Sequence, residues 1–194
     1  MALSERLLSV LGNEWVMTPI QSASFKSILN GKSCLLVSQT GSGKTEAALL
    51  PLIERQLDEG WAPTSVLYIS PLRALNRDLG ERLETICEGV GLRSDVRHGD
   101  TTQSHRQRQT KKPPDILVIT PETLQSLFMG KHVRAMLSTV QAVIIDEIHD
   151  VAASERGAQL MVGISRLEEL CGRHLQRIGL SATIPHPKSI AAWM

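Results

Sequence analysis

The sequence predicts an α/β fold, built on a mainly parallel sheet with helices covering both faces. Three observations carry that expectation. Short, continuous apolar runs recur along the chain, as strands buried on both faces require. Between them lie segments whose leucines and isoleucines repeat at helical spacing. The two kinds alternate, which is the order that crossover helices impose on a parallel sheet of right-handed βαβ units.

The first run is 33–37 (SCLLV), just after Gly31. Residues 44–57 follow as a helix with Leu49, Ile53 and Leu57 on one face, and Pro51 inside it is expected to bend it. The run 65–70 (SVLYIS) is the next strand, leading into a helix marked by Leu72, Leu75, Leu79, Leu83 and Ile86. A short strand is expected at 94–97, then stronger ones at 115–119 (DILVI) and 140–145 (VQAVII). A helix over 155–171 presents Leu160, Ile164, Leu167 and Cys171, and 175–180 (LQRIGL) is the last strand. The end of the chain reads as the start of another helix, suggesting truncation.

Composition narrows the class. A chain of 194 residues fits one domain, and 42% apolar against 21% charged residues suffices for a packed core. The formal net charge is +1, so any surface for nucleic acid must be local. Aromatic residues make up only 3%, too few for a module that stacks several bases on rings. Cys34, Cys87 and Cys171 are widely spaced with no C-x-x-C pair, and read as small apolar residues. No charged-then-apolar leader is visible, and no apolar run nears the roughly 18 residues of a membrane span. A cytoplasmic or nucleoid-associated monomer is expected.

The strongest motif is Ser38-Gln39-Thr40-Gly41-Ser42-Gly43-Lys44-Thr45, between a predicted strand and a predicted helix. Gly41 and Gly43 let the backbone turn tightly, so that amide N–H groups face inward at phosphate oxygens. The helix N-terminus adds its positive dipole end. Thr40, Gly41, Ser42, Gly43, Lys44 and Thr45 therefore form a candidate nucleotide loop, with Lys44 reaching the β- and γ-phosphates and Thr45 holding Mg²⁺. Ser38 stands where this pattern has its first glycine. Asp146 and Glu147 follow directly on an apolar run, and such strand ends gather beside the glycine loop. Asp146 is then a second Mg²⁺ group, and Glu147 is placed to polarise an attacking water.

With Asp146-Glu147-Ile148-His149, the chain resembles superfamily 2 helicases carrying a D-E-x-H box. Thr18-Pro19-Ile20-Gln21 resembles that superfamily's glutamine motif, which implies that Gln21 bonds the adenine edge. Pro71-Leu72-Arg73-Ala74-Leu75 and Thr120-Pro121-Glu122 resemble its nucleic-acid-contacting motifs, implicating Arg73, Thr120 and Glu122. Ser181-Ala182-Thr183 resembles the S-A-T motif that couples ATP to strand movement, with His149 linking the acidic box to Ser181 and Thr183. Finer details, Glu155-Arg156-Gly157, His98-Gly99-Asp100-Thr101 and Gln176-Arg177-Ile178-Gly179 among them, resemble the large-helicase-related (Lhr) family. The resemblance implies a RecA-like P-loop NTPase three-layer sandwich, with residues 1–194 forming the first ATP-binding domain. It also implies ATP-dependent movement on single-stranded DNA, with RNA as an alternative, in repair. The second RecA-like domain, whose arginines complete the site, is not in this sequence, so little turnover is expected.

Between 97 and 112 the chain is basic, with Arg97, Arg106, Arg108, Lys111 and Lys112 against Asp100. Either this is a solvated loop and short helix, or Arg106 and Arg108 touch backbone phosphates, a sequence-blind and salt-sensitive contact. Likewise, Thr120 and Glu122 either cap a helix starting at Pro121 or help bind phosphate there. Trp15 reads as a packing residue. A small P-loop kinase is the rival enzyme, but it leaves Ser181-Ala182-Thr183 unexplained. A module that binds nucleotide and nucleic acid without turnover also remains open.

Overall fold

The computed structural model describes residues 3–12, 14–71, 73–152 and 154–194, with the side chains of 73–78 and 131 outside the described set. Along the chain run α1 (Glu5–Leu11), α2 (Pro19–Leu29), β1 (Cys34–Val37), α3 (Lys44–Glu59), β2 (Val66–Ile69), α4 (Arg73–Gly89), β3 (Ser94–Arg97) and α5 (Gln103–Lys111). Then follow β4 (Ile116–Ile119), α6 (Pro121–Leu127), α7 (Lys131–Leu137), β5 (Ala142–Ile145), α8 (Ile148–Ala152), α9 (Glu155–Cys171), β6 (Gln176–Ser181) and α10 (Pro187–Trp193).

The strands form one 6-stranded sheet in the order β1-β6-β5-β2-β4-β3, and every pairing is parallel. Alternate residues of each strand feed opposite cores, as the two-residue period of a strand dictates. Tyr68, Val118, Ile144 and Leu180 pack with residues of α1 to α4 on one face. Leu67, Leu117, Val143 and Ile145 pack with residues of α6 to α9 on the other. Ile144 and Leu117 are both 0% exposed, and burying such a side chain is worth about 1.5–3 kcal/mol. The expected three-layer α/β sandwich is what the chain forms.

Local chemistry explains the helix ends. Thr18 precedes α2, Pro19 opens it, and the Gln21 side chain accepts the Thr18 backbone N–H at 2.9 Å. α3 starts after Gly43 and stops at Gly60, both in the left-handed region. It passes through Pro51, which is buried, without a break in the helix. Ser154 caps α9 by accepting the Gly157 N–H, and Gly172 ends it. Of the run expected as a strand over 140–145, Ala142–Ile145 forms β5, Gln141 already bonds Ser65 and Gln176, and the Val140 N–H closes a turn onto Leu137. Cys87 is buried and Cys34 and Cys171 are half-buried, all as free thiols, and Trp15 packs against the core. Among the described residues no helix is long and apolar enough to cross a membrane.

Candidate active site

The phosphate loop leaves β1 at Val37. Strand pairing continues one residue further, since Ser38 donates its N–H to the Ser181 carbonyl at 3.2 Å. Gly41 and Gly43 take φ values of 79° and 86°, a region closed to most side chains. Ser38 has no such φ, so a serine fits where the motif usually has glycine. Lys44 opens α3, and its Nζ donates to the carbonyls of Ser38 at 2.6 Å and Gln39 at 2.9 Å. The ammonium is thereby poised over the loop. Gln21 is 4% exposed and donates from Nε2 to the Gly43 carbonyl at 3.2 Å, which ties α2 to the same turn.

Four strands on in sequence but close in space, Asp146 directly follows β5, with its N–H on the Ile69 carbonyl at 2.8 Å. Its carboxylate takes the Tyr68 hydroxyl on Oδ2 at 2.8 Å and the Glu147 N–H on Oδ1 at 3.0 Å. Burial pushes the Asp146 carboxyl above the usual aspartate range. The Glu147 charge adds to that push, and the Tyr68 bond opposes it. Burial, then the Asp146 charge, drives the Tyr68 phenol well above its ordinary value. Glu147 is the one described non-glycine residue with positive φ, at 45°. Such backbone costs about 1–3 kcal/mol and concentrates at functional sites. Its Oε2 is buried with no hydrogen bond, and His149 Nδ1 lies 3.4 Å away, an electrostatic approach only.

His149 Nδ1 also meets the Ser181 hydroxyl at 3.0 Å, so the acidic box and the end of β6 are joined. Thr183 is exposed, and of the two it is Ser181 that bonds His149. A cleft of about 400 Å³ brings Thr40, Gly41, Gly43, Lys44 and Thr45 against Tyr68, Asp146 and Glu147. Ser42 stays beside it with its hydroxyl buried and unpaired. At the rim, Arg82 of α4 forms an ion pair with Glu46 of α3. Tyr68, Arg82 and Glu46 were not expected from the sequence. The signal for Tyr68 was present, as a lone tyrosine within an apolar strand. A larger groove of about 810 Å³ lies between α5 and α7, and no residue of the phosphate loop or acidic box lines it.

Those oxygens bear on a metal. Among the described residues no group of three or more His, Cys, Asp or Glu can hold an ion. The Thr45 hydroxyl and Asp146 carboxylate instead share one cleft. A sparse oxygen set of this kind fits Mg²⁺, which keeps water and phosphate oxygens as its other ligands.

The residues expected to face nucleic acid are divided. Thr120 caps α6 by accepting the Thr123 N–H at 3.4 Å, and it is 5% exposed. Glu122 is exposed and pairs with Arg156 of α9 at 2.7 Å. Arg106 donates to the carbonyls of His98 at 3.2 Å and Gly99 at 2.8 Å, holding the 98–101 loop, while Arg108 is exposed. The basic stretch is not one solvated face, because Arg97 is 8% exposed beneath it. Arg73 heads α4, and its side chain lies outside the described residues, as does Leu72.

The family model described as DEAD/DEAH box helicase matches residues 18–190. The Lhr helicase/probable uracil glycosylase of Mycolicibacterium smegmatis is 38% identical over 96% of this chain and 14% of its own length. The ATP-dependent helicase Lhr-Core of Methanothermobacter thermautotrophicus is 44% identical over 88% of the chain and 21% of its own length. The solved structure of the Mycobacterium smegmatis helicase Lhr, bound to ssDNA and AMP-PNP, matches with a TM-score of 0.88 at 37% identity. That match takes in 97% of this chain and 26% of the helicase. The chain thus spans about a fifth or less of the curated relatives it matches.

Proposed function

The chain belongs to the DEAD/DEAH box helicase family, and from that premise we propose that it is the first RecA-like motor domain of a longer, Lhr-like enzyme. In this reading residues 1–194 bind Mg²⁺-ATP and the backbone of single-stranded nucleic acid, DNA in the first instance, in the service of repair. A second RecA-like domain elsewhere in the longer protein closes the cleft. The observation that carries the proposal is the meeting of Lys44, Thr45, Asp146 and Glu147 in one cleft, with Ser181 wired to it through His149.

The chain's own residues do the following. Lys44 exchanges its two loop carbonyls for phosphate oxygens, as a charge-assisted bond to phosphate outcompetes one to a neutral carbonyl. The amides around Gly41, Ser42 and Gly43 turn onto the same phosphates. Gln21, one N–H of which already holds the Gly43 carbonyl, keeps a second for the adenine edge. Thr45 and Asp146 would hold Mg²⁺, which would supply positive charge beside the phosphates. Glu147, with an unpaired buried oxygen, orients the attacking water. His149 passes the change to Ser181 at the end of β6. Arg73, Thr120, Glu122 and the Arg106–Arg108 segment line the nucleic-acid path, Arg106 by shaping the 98–101 loop. Arginines from the second domain supply the remaining stabilisation, worth about 10³–10⁵ in rate in related NTPases.

Calorimetric titration of Mg²⁺-ATP into this chain and its Lys44→Ala variant tests the reading. Binding that the variant loses supports it. Equal binding by both proteins would remove the phosphate loop from the account.

A further inference from the structure

Tyr68 belongs to none of the motifs, yet it lines the cleft and bonds Asp146. It lies on β2, is 0% exposed, and is the single tyrosine of the chain. The ring packs in the core on the α1–α4 face. The phenol donates to Asp146 Oδ2 at 2.8 Å, and Tyr68 lines the same cleft as Thr45. One buried hydroxyl therefore holds the carboxylate assigned above to the metal.

Packing alone does not call for this hydroxyl. The rest of β2 is Val66, Leu67 and Ile69, and a phenylalanine would fill the same core without a polar atom to satisfy. The hydroxyl also does something a backbone donor cannot. Asp146 Oδ1 is already held by the Glu147 N–H, so Tyr68 fixes the second oxygen and with it the plane of the carboxylate. Each oxygen keeps a further lone pair for a ligand or a bound water. Groups that orient a metal's own ligands in this way commonly matter 10–100-fold, by about that order, to metal affinity.

We propose that Tyr68 is a positioning residue of the metal site, fixing the Asp146 carboxylate for Mg²⁺ carried on the nucleotide phosphates. The inference rests on the Mg²⁺-ATP reading above and adds a residue to it.

The test is the affinity of a fluorescent ADP analogue for wild type and Tyr68→Phe, each measured in Mg²⁺ and in EDTA. Equal affinities in EDTA show that the variant's loop is folded. The expected result is that Mg²⁺ tightens binding to wild type, while Tyr68→Phe loses about 10-fold or more of that gain. If Tyr68→Phe keeps the whole Mg²⁺ gain, the proposal fails and the nucleotide site stands. If the variant is equally weakened in EDTA, the hydroxyl is structural and the proposal also fails. If wild type shows no Mg²⁺ gain, or Lys44→Ala binds as wild type does, the site assignment falls and the role of Tyr68 with it.

Discussion

Gln21 reaches from α2 to the Gly43 carbonyl, and it occupies the space a side chain on Gly43 would need: a Cβ there would lie 2.5 Å from Gln21 Nε2. The glutamine motif and the phosphate loop are therefore fitted to one another through a missing methyl group. Gly43→Ala is predicted to carry two penalties, a backbone one of about 1–2 kcal/mol for the left-handed φ and the displacement of Gln21. Gly41 has a similar φ of 79° but open space around its Cβ position, so Gly41→Ala should carry the first penalty alone. Urea unfolding of both variants makes the comparison. Equal midpoints would mean that Gln21 yields freely.

Asp146 gives a pH-dependent prediction. Its folded-state value is raised, chiefly by burial, so the folded protein holds that proton more tightly than the unfolded chain does. The stabilisation is fully present below the ordinary aspartate value of about 3.9 and is lost as pH rises through the raised one. At neutral pH the ionised carboxylate is thus a net cost to the fold. Asp146→Asn should raise the melting temperature at neutral pH, with the advantage shrinking as the pH is lowered toward about 4. A variant less stable than wild type at neutral pH would show that its bonds to Tyr68 and Glu147 outweigh burial.

Gly157 is the third site. A Cβ built on it runs into the carbonyl of Val151, near the end of α8, with the Trp193 ring 3.0 Å away. The obstacle is backbone, which cannot rotate aside as a side chain can. Gly157→Ala should therefore cost about 1–3 kcal/mol or more and push α8 away from α9. Because α8 begins at Ile148 and contains His149, the His149–Ser181 contact should weaken as well. Thermal melting measures the first effect. The NMR signals of His149 report the second, and an unshifted His149 would mean that α9 moves instead.

Much of this was legible because particular residues have few alternatives. Gly41, Gly43 and Lys44 between an apolar run and a helix admit few other readings, and Asp146 could be placed beside them since parallel strands end on one edge. The burial of Arg97 was not legible. A charge in a polar stretch looks solvated, yet Arg97 ends β3 and is buried there. The helix at 131–137 lay between stronger signals and was not anticipated. Val140 looked like strand because it is apolar, yet its burial comes from a turn packed into the core. Tyr68 stood out as the lone tyrosine, but its role at the cleft was not legible for a related reason. In a strand buried on both faces every residue looks alike, and the sequence does not say which side chain ends at the cleft. Thr183 shows the converse, a motif residue whose neighbour Ser181 makes the contact.

Because all the strands of the sheet run the same way, the loops that carry chemistry leave it at one rim, and the turns at the other rim are bystanders. The turn after α9 is an open one: Gly172 has free space around its Cβ position, and the His174 side chain stands fully in solvent. A dye, a surface tether or an inserted epitope at His174 would sit at the far end of β6 from Ser181. From there it would leave the cleft of Lys44, Asp146 and Glu147 untouched.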